Sequence, residues 1–417
     1  MRAITGFPLK RIQTTKSVLG DLFPDLPWYG YWLQDQLRLQ PSSMFEALME
    51  FDCRSEERLA NTFLPLCKKL SCIVKETDGA SIAGIVDVLS GDGIFIARGD
   101  DDISESAISL VFAILGWLTM LYRPDILSCS PAEFCIMDEM DGHRGDGHMG
   151  LKQDRRASRK NLRRFLLGFG LMVPQANYNA FEEEGKIRLF DKLTSVEPST
   201  LNAFLLTTIG GLSIEWTDSL ACHLELDKVG KTVYLSRYPS FCLSNLKGSG
   251  ADTGILRACG SKPSDRLLWG SDQDVSQLLE EVLLSYRLLF GQDKRSRRLF
   301  HKLNPFLDTP SNSRDELLSQ LCSAKDLDGS LGLSQHDAYE LAKDFPHIRT
   351  KLVRLSNHLT QRRPRSWAEL WVDNRDSASW LTFWAVIIIG AVGLFLAFIQ
   401  VVLQAVQVAF QLQHPGS

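Results

Sequence analysis

No cysteine pair in this chain stands in CxxC spacing, and no GxSxG or HExxH motif occurs in it. The signatures of a thioredoxin-like motif, an α/β-hydrolase elbow and a zincin are therefore missing. The first twenty residues, MRAITGFPLKRIQTTKSVLG, lack the apolar core of a secretory signal. They are basic and free of acids up to Asp21, as in a transit peptide, but no clear amphipathic pattern accompanies them. Repeats and long low-complexity tracts are also absent. Excess charge of either sign is small: the net charge is −4 over 417 residues. The overall charge does not favour binding to nucleic acid, and no nucleic-acid partner is expected, although local basic clusters remain.

Nine cysteines are present, an odd number, and the nearest pairs are Cys67/Cys72 and Cys129/Cys135. A disulfide framework does not fit this usage, so reduced cytosolic thiols are expected. The length allows two or three domains, and 44% hydrophobic with 23% charged residues is an ordinary globular composition.

Charge is missing altogether from Ser377 to Gln413. The uninterrupted apolar part, Leu381 to Ile399, would make roughly 28 Å of helix, close to the thickness of a bilayer's hydrocarbon core. Trp367, Trp371, Trp380 and Trp384 stand at its upstream end, where an interfacial aromatic belt belongs. Arg362, Arg363, Arg365 and Arg375 precede the span, and no Lys or Arg follows it. The basic side of a span stays in the cytosol. The expectation is a tail-anchored protein with a cytosolic body, leaning towards the ER or secretory membranes because the tail lacks basic residues.

The same helix carries Gln400, Gln404, Gln407 and Gln411 at intervals of 4, 3 and 4. At 100° per residue they fall within about 60° of one another. Gly393 and Ala397 extend that face upstream. Two readings stay open. Small residues and amides can support association with a second copy of the helix. Alternatively, the helix outruns the bilayer core and its polar face emerges among the headgroups.

The expected fold class is mainly α with minor β (α+β): a helical cytosolic body plus one C-terminal transmembrane helix. The chain divides into an N-terminal helical subdomain over 1–137, a polar linker or loop over 138–160, a second α-rich subdomain over 161–356, a basic and aromatic juxtamembrane linker over 357–376, and the membrane helix with its extension over 377–413. PSSMFEALMEF and SEERLANTFLPLCKKL show helical spacing, with Ser55 as N-cap. GIVDVLSGDGIFIARGDDD predicts a β-hairpin turning at Gly91-Asp92-Gly93. The 17 uncharged residues Ser106–Tyr122 predict a buried core helix rather than a second span. SIEWTDSLACHLELD predicts an amphipathic helix, and KTVYLSRYPSF a strand. Helices are expected over SRKNLRRFLLGFGLMV, DVSQLLEEVLLSYRLLFG and SRDELLSQLCSA, and over SQHDAYELAKDF with Ser334 and Asp337 as a capping box.

The series EWTDSLACHLELD, YLSRYPSFC, LLSYRLLFGQDKRSRRLF and SWAELWVDNRDSASWLTFWAVIIIGAVGLFLAFIQVVLQAVQ resembles a layout found in uncharacterised membrane-tethered proteins of filamentous fungi. The likeness covers about residues 200–410. It implies a single C-terminal anchor and a mainly helical cytosolic body. It implies no activity, cofactor or catalytic residue.

Candidate chemical sites are weak. Asp138, Asp141, His143, Asp146 and His148 lie close together, but a glycine-rich backbone would not hold them as metal ligands. Asp326, Asp328 and Asp337 imitate an EF-hand loop, yet Leu331 stands where its glycine is required. Gly248, Gly250 and Gly254 have GxGxxxG spacing, not the dinucleotide fingerprint. Cys222 and His223 are adjacent, and neighbouring helix positions do not face each other. Basic clusters at Lys152–Arg164, Lys294–Lys302 and Arg362–Arg365 suit either solvated surface or an anionic leaflet. No catalytic residue, metal ligand or cofactor is assigned. The expected role is that of an interaction or scaffold protein, with the bilayer, an unidentified cytosolic protein and a second copy of the chain as partners. A membrane-surface enzyme with an unrecognised site and a structural membrane oligomer are the alternatives.

Overall fold

The computed structural model describes residues 22–48, 55, 59–96, 101–137, 152–171, 193–246, 254–260, 270–307, 309–324, 333, 335–362 and 377–413. Several expectations fall outside this set: the His/Asp loop at 138–148, Asp326, Asp328 and Leu331, Gly248 and Gly250, Ser334, Trp367, Trp371, Arg363, Arg365 and Arg375.

The fold is mainly helical with short strands, as expected, and has one C-terminal helix long and apolar enough to cross a membrane. Buried side chains from Leu26 to Leu359 join in one hydrophobic cluster. At its centre lies the helix Asp101–Thr119, in which every residue from Leu110 to Leu115 is buried. The apolar run that could have been read as a span is thus a core helix. Tyr122 closes its end, donating to the Phe112 carbonyl at 2.7 Å, in a cluster with Phe134, Phe165 and Phe169.

The segment predicted as a hairpin is instead the helix Ile82–Gly91. Its buried residues, Ile82, Ile85, Val86 and Leu89, have the 3.6-residue period of a helix, not the alternation of a strand. The Ser81 hydroxyl caps it by accepting from Gly84 N at 3.0 Å. Gly91-Asp92-Gly93 is its stop signal: Gly93 takes φ +71°, which a residue with a Cβ adopts only at a cost.

SIEWTDSLACHLELD is likewise not a helix. Ser213–Thr217 forms β4, a 3₁₀ turn covers Leu220–Cys222, and Glu225–Asp227 forms β5. With Thr232–Ser236, the expected strand and here β6, they make a three-stranded sheet. β6 is central and entirely buried; β4 runs parallel to it and β5 antiparallel. The Asp227 carboxylate shapes the β5–β6 turn by accepting from Val229 N at 2.8 Å and Gly230 N at 3.0 Å. Leu224, with φ +60°, is incompatible with continuous helix.

The helix expected over residues 334–345 is not continuous: Tyr339–Glu340 (β7) pairs as a short strand with Ser195–Val196 (β3), burying Tyr339, and within that segment only the turn Leu341–Asp344 is helical. The helix Asp272–Tyr286 has a capping box, between Ser271 and Asp274.

Within the expected linker 138–160, residues 152–160 are structured. Lys152–Asp154 (β2) pairs antiparallel with Glu133–Cys135 (β1). A 3₁₀ turn, Arg155–Arg159, follows and buries Ala157 and Ser158. Polar composition suggested a loop there, but edge pairing and a capping Asp154 order it.

The helix Ser377–Gln413 stands apart in character. Its segment Trp384–Ala409 has 26 residues and a mean hydropathy of 2.8, and none of its most apolar stretch is buried. Gly393, Ala397, Gln400, Gln404 and Gln407 are all exposed on it. Gln411 belongs to the same helix.

Candidate functional site

The sequence points to no site, but among the described residues the structure has a cleft with polar groups in its lining. It has a volume of about 270 Å³ and lies between the buried helix Asp101–Thr119 and the β1–β2 ribbon. Glu105, Ser106, Ser109 and Phe112 reach it from one face of the helix, a placement that i, i+4, i+7 spacing produces. Ser106 Oγ fixes the opposite rim, within 3.0 Å of the carbonyls of Ser43 and Met44.

Cys129, Glu133 and Cys135 line it as well. A β-turn with Glu133 N donating to Ser130 O at 3.0 Å folds the chain back on itself. The two cysteines, expected as reduced thiols, are thereby joined in a disulfide with Cα atoms 5.8 Å apart. Spacing of six residues conceals this proximity unless the turn is foreseen. Closing so short a loop contributes only about 2 kcal/mol by chain entropy. Cys135 is buried in β1, whereas Cys129 is partly exposed, its Sγ 3.2 Å from the Glu133 carbonyl. The two sulfurs and the Glu133 carboxylate lie within 4.8 Å of one another, the geometry of a three-donor metal group. Among the described residues Cys67, Cys72, Cys222, Cys242, Cys259 and Cys322 remain thiols, as expected. Burial pushes the Cys259 thiol up to about 12, so it is not an available nucleophile.

Arg155 supplies the positive charge of the cleft. Its backbone N–H donates to Ala132 O at 2.9 Å, and its guanidinium lies 4.8 Å from the Phe134 ring centroid. Nη2 donates to Ser109 Oγ at 2.7 Å and to the Glu105 carbonyl. Burial lowers its pKa, and the Glu105 charge opposes that shift. Lys152 Nζ sits 3.2 Å from Glu133 Oε2 on the outer side.

Cys222 and His223, adjacent in sequence, go separate ways. Cys222 packs with Tyr234, while His223 Nε2 lies 2.8 Å from Ser285 Oγ. The serine–histidine contact imitates a catalytic dyad, but both residues are fully enclosed. His223 Nδ1 accepts from Ser236 N at 3.2 Å, so Nε2 carries the proton and donates to Ser285. Ser285 Oγ in turn donates to Val282 O at 2.6 Å. Burial, and then the Lys351 charge, hold the imidazole down at about 3. It is a neutral structural link, not a general base.

The basic clusters also acquire structural partners. Arg163 Nε donates to Gly260 O at 2.6 Å, and Arg297 Nη1 to Gly291 O at 2.7 Å. No protein-family model, curated protein or solved structure matches this chain.

Proposed function

We propose that this is a membrane protein anchored by the helix Ser377–Gln413, which holds a helical body at the cytosolic surface for interaction with another protein. One observation carries the reading: the apolar segment Trp384–Ala409 finds no burial against the body. Burying apolar area stabilises by about 25 cal/mol per Å², so an uncovered helix of this kind calls for lipid. Arg362 closes the body's last helix, Arg349–Gln361, and begins the basic flank that favours the cytosolic side. The interaction role is preferred because the Ser285–His223 pair, the one contact resembling a catalytic dyad among the described residues, is enclosed in the core. The Gly393–Gln411 face is proposed to bring two copies together.

The test compares the full chain with a version lacking 377–417, both expressed in cells and fractionated at alkaline pH. The full chain should stay in the membrane pellet and the shortened chain should be soluble. A shortened chain that still resists alkaline extraction would contradict the reading.

A further inference from the structure

We propose that Cys129 and Cys135 form a reversible dithiol–disulfide pair in the lining of the 270 Å³ cleft, exchanging with low-molecular-weight disulfides of the glutathione type, with Cys129 as the exchanging sulfur. The inference stands on the local geometry and does not depend on which side of a membrane the body faces.

The first support is redundancy. The segment around the pair is held without the disulfide. β1 and β2 pair in register through Glu133↔Asp154, Phe134↔Gln153 and Cys135↔Lys152. Asp125 N donates to Cys135 O at 2.9 Å, Met137 N to Arg123 O at 2.8 Å, and Arg155 N to Ala132 O at 2.9 Å. Phe134 and Ile136 are anchored in the core. A bond that closes six residues inside this frame joins no distant elements. It can open while the fold remains.

The second is asymmetry of access. Cys135 is 4% exposed in the strand, while Cys129 stands partly exposed on the loop, between exposed Ser128 and Ser130. A small disulfide reaches Cys129 and not Cys135. The three-donor alternative is disfavoured locally, because Glu133 is already paired with Lys152 at 3.2 Å and a divalent cation would have to displace that ammonium.

The chemistry balances in two exchanges. The Cys129 thiolate attacks one sulfur of glutathione disulfide, forming a Cys129–glutathione bond and releasing one glutathione thiolate. The Cys135 thiolate then attacks the Cys129 sulfur, forming the Cys129–Cys135 bond and releasing the second. Two electrons pass from the protein to glutathione disulfide, and the protons lost by the two cysteines end on the two glutathione thiols. Reduction is the reverse.

The experiment uses the full chain in mild detergent, equilibrated in buffers of graded glutathione to glutathione-disulfide ratio. Thiols are then trapped and the peptides weighed. The 129–135 pair should change from dithiol to disulfide in one two-electron transition, without loss of the far-ultraviolet circular dichroism of the folded protein. In Cys135→Ser, Cys129 should accumulate as the glutathione mixed disulfide. In Cys129→Ser, Cys135 should stay unmodified. A pair that remains fully oxidised or fully reduced at every ratio would overturn the proposal, as would unfolding on reduction. Retention of one zinc ion by the reduced protein, lost in Cys129→Ser, would assign the pair to a metal and overturn it too.

Discussion

Trp28 stacks on Tyr238 with ring centroids 3.8 Å apart and planes inclined by only 10°. The indole N–H also donates to Ser240 Oγ at 2.9 Å. The first described helix, Pro27–Arg38, is therefore seated on the segment that follows β6. Trp28→Ala should destabilise the body by about 3–5 kcal/mol, the usual loss for a buried aromatic. Denaturant unfolding should show a single transition at lower midpoint. Two separate transitions would mean that the two parts fold apart.

A charged contact reinforces the same junction. Trp32 Nε1 donates to Asp218 Oδ2 at 3.0 Å, and Arg237 Nη2 donates to that oxygen at 2.8 Å. Asp218 is 7% exposed, so removing it leaves the Trp32 indole N–H without its acceptor and takes a carboxylate from the half-buried Arg237. Asp218→Ala should cost about 1–3 kcal/mol. The double variant Asp218→Ala with Arg237→Ala should cost less than the sum of the two single changes in the same unfolding assay.

His223 gives the body an acid-sensitive element. Its folded pKa, about 3, lies below the ordinary value of 6.5. The unfolded chain therefore binds the proton more readily. The stability that neutral His223 supports is complete above pH 6.5 and is lost as pH falls from 6.5 towards 3. The slope contributed is about 1.4 kcal/mol per pH unit inside that window. His223→Gln keeps a hydrogen-bond donor and does not titrate. Thermal melts across the window should converge: the variant is less stable than the parent at pH 7, and the gap narrows on acidification. A gap that stays constant with pH would exclude His223 as the cause.

Much of the helical plan was legible in sequence because an apolar run of this length must be helical, and its length separates a core helix from a longer one. Ser106–Tyr122 is at the lower limit for a span, and it is the central core helix. The longer, uncharged C-terminal run is a helix whose apolar stretch stays unburied. The sheet was hidden because its strands are short and joined by tight turns. Ile214, Trp216, Leu220, Leu224 and Leu226 can be placed on a helical wheel as readily as on strands. Only the Asp227 turn and the pairing with buried β6 decide between them. In Ile82–Gly91 the error ran the other way, since Gly91-Asp92-Gly93 imitates a hairpin turn while serving as a helix stop. The Cys129–Cys135 cleft escaped because its parts, the helix face at Glu105–Phe112 and the turn at Ser130, meet only in three dimensions.

The exposed glutamine face of the C-terminal helix has its own consequence. Gly393, Ala397, Gln400, Gln404 and Gln407 are exposed along one side of the helix, and nothing lies within 4 Å of a Cβ at Gly393, so a neighbouring backbone has room to approach. Cysteine cross-linking along the membrane-embedded helix should give dimers repeating about every 3.5 residues. Gly393→Ile combined with Gln400→Leu and Gln404→Leu should abolish that pattern while leaving insertion intact, since a pair of amides contributes about 1 kcal/mol. Cross-linking no stronger than background in the parent would place the glutamines among the headgroups.

The most direct test of the whole account is protease accessibility of the full chain in sealed, right-side-out microsomes. Added protease should digest the body, 22–362, without detergent, and leave a small protected fragment containing Trp384–Ala409. A body that survives until detergent opens the vesicles, or a chain that leaves no protected fragment at all, would contradict a single membrane anchor with its body in the cytosol.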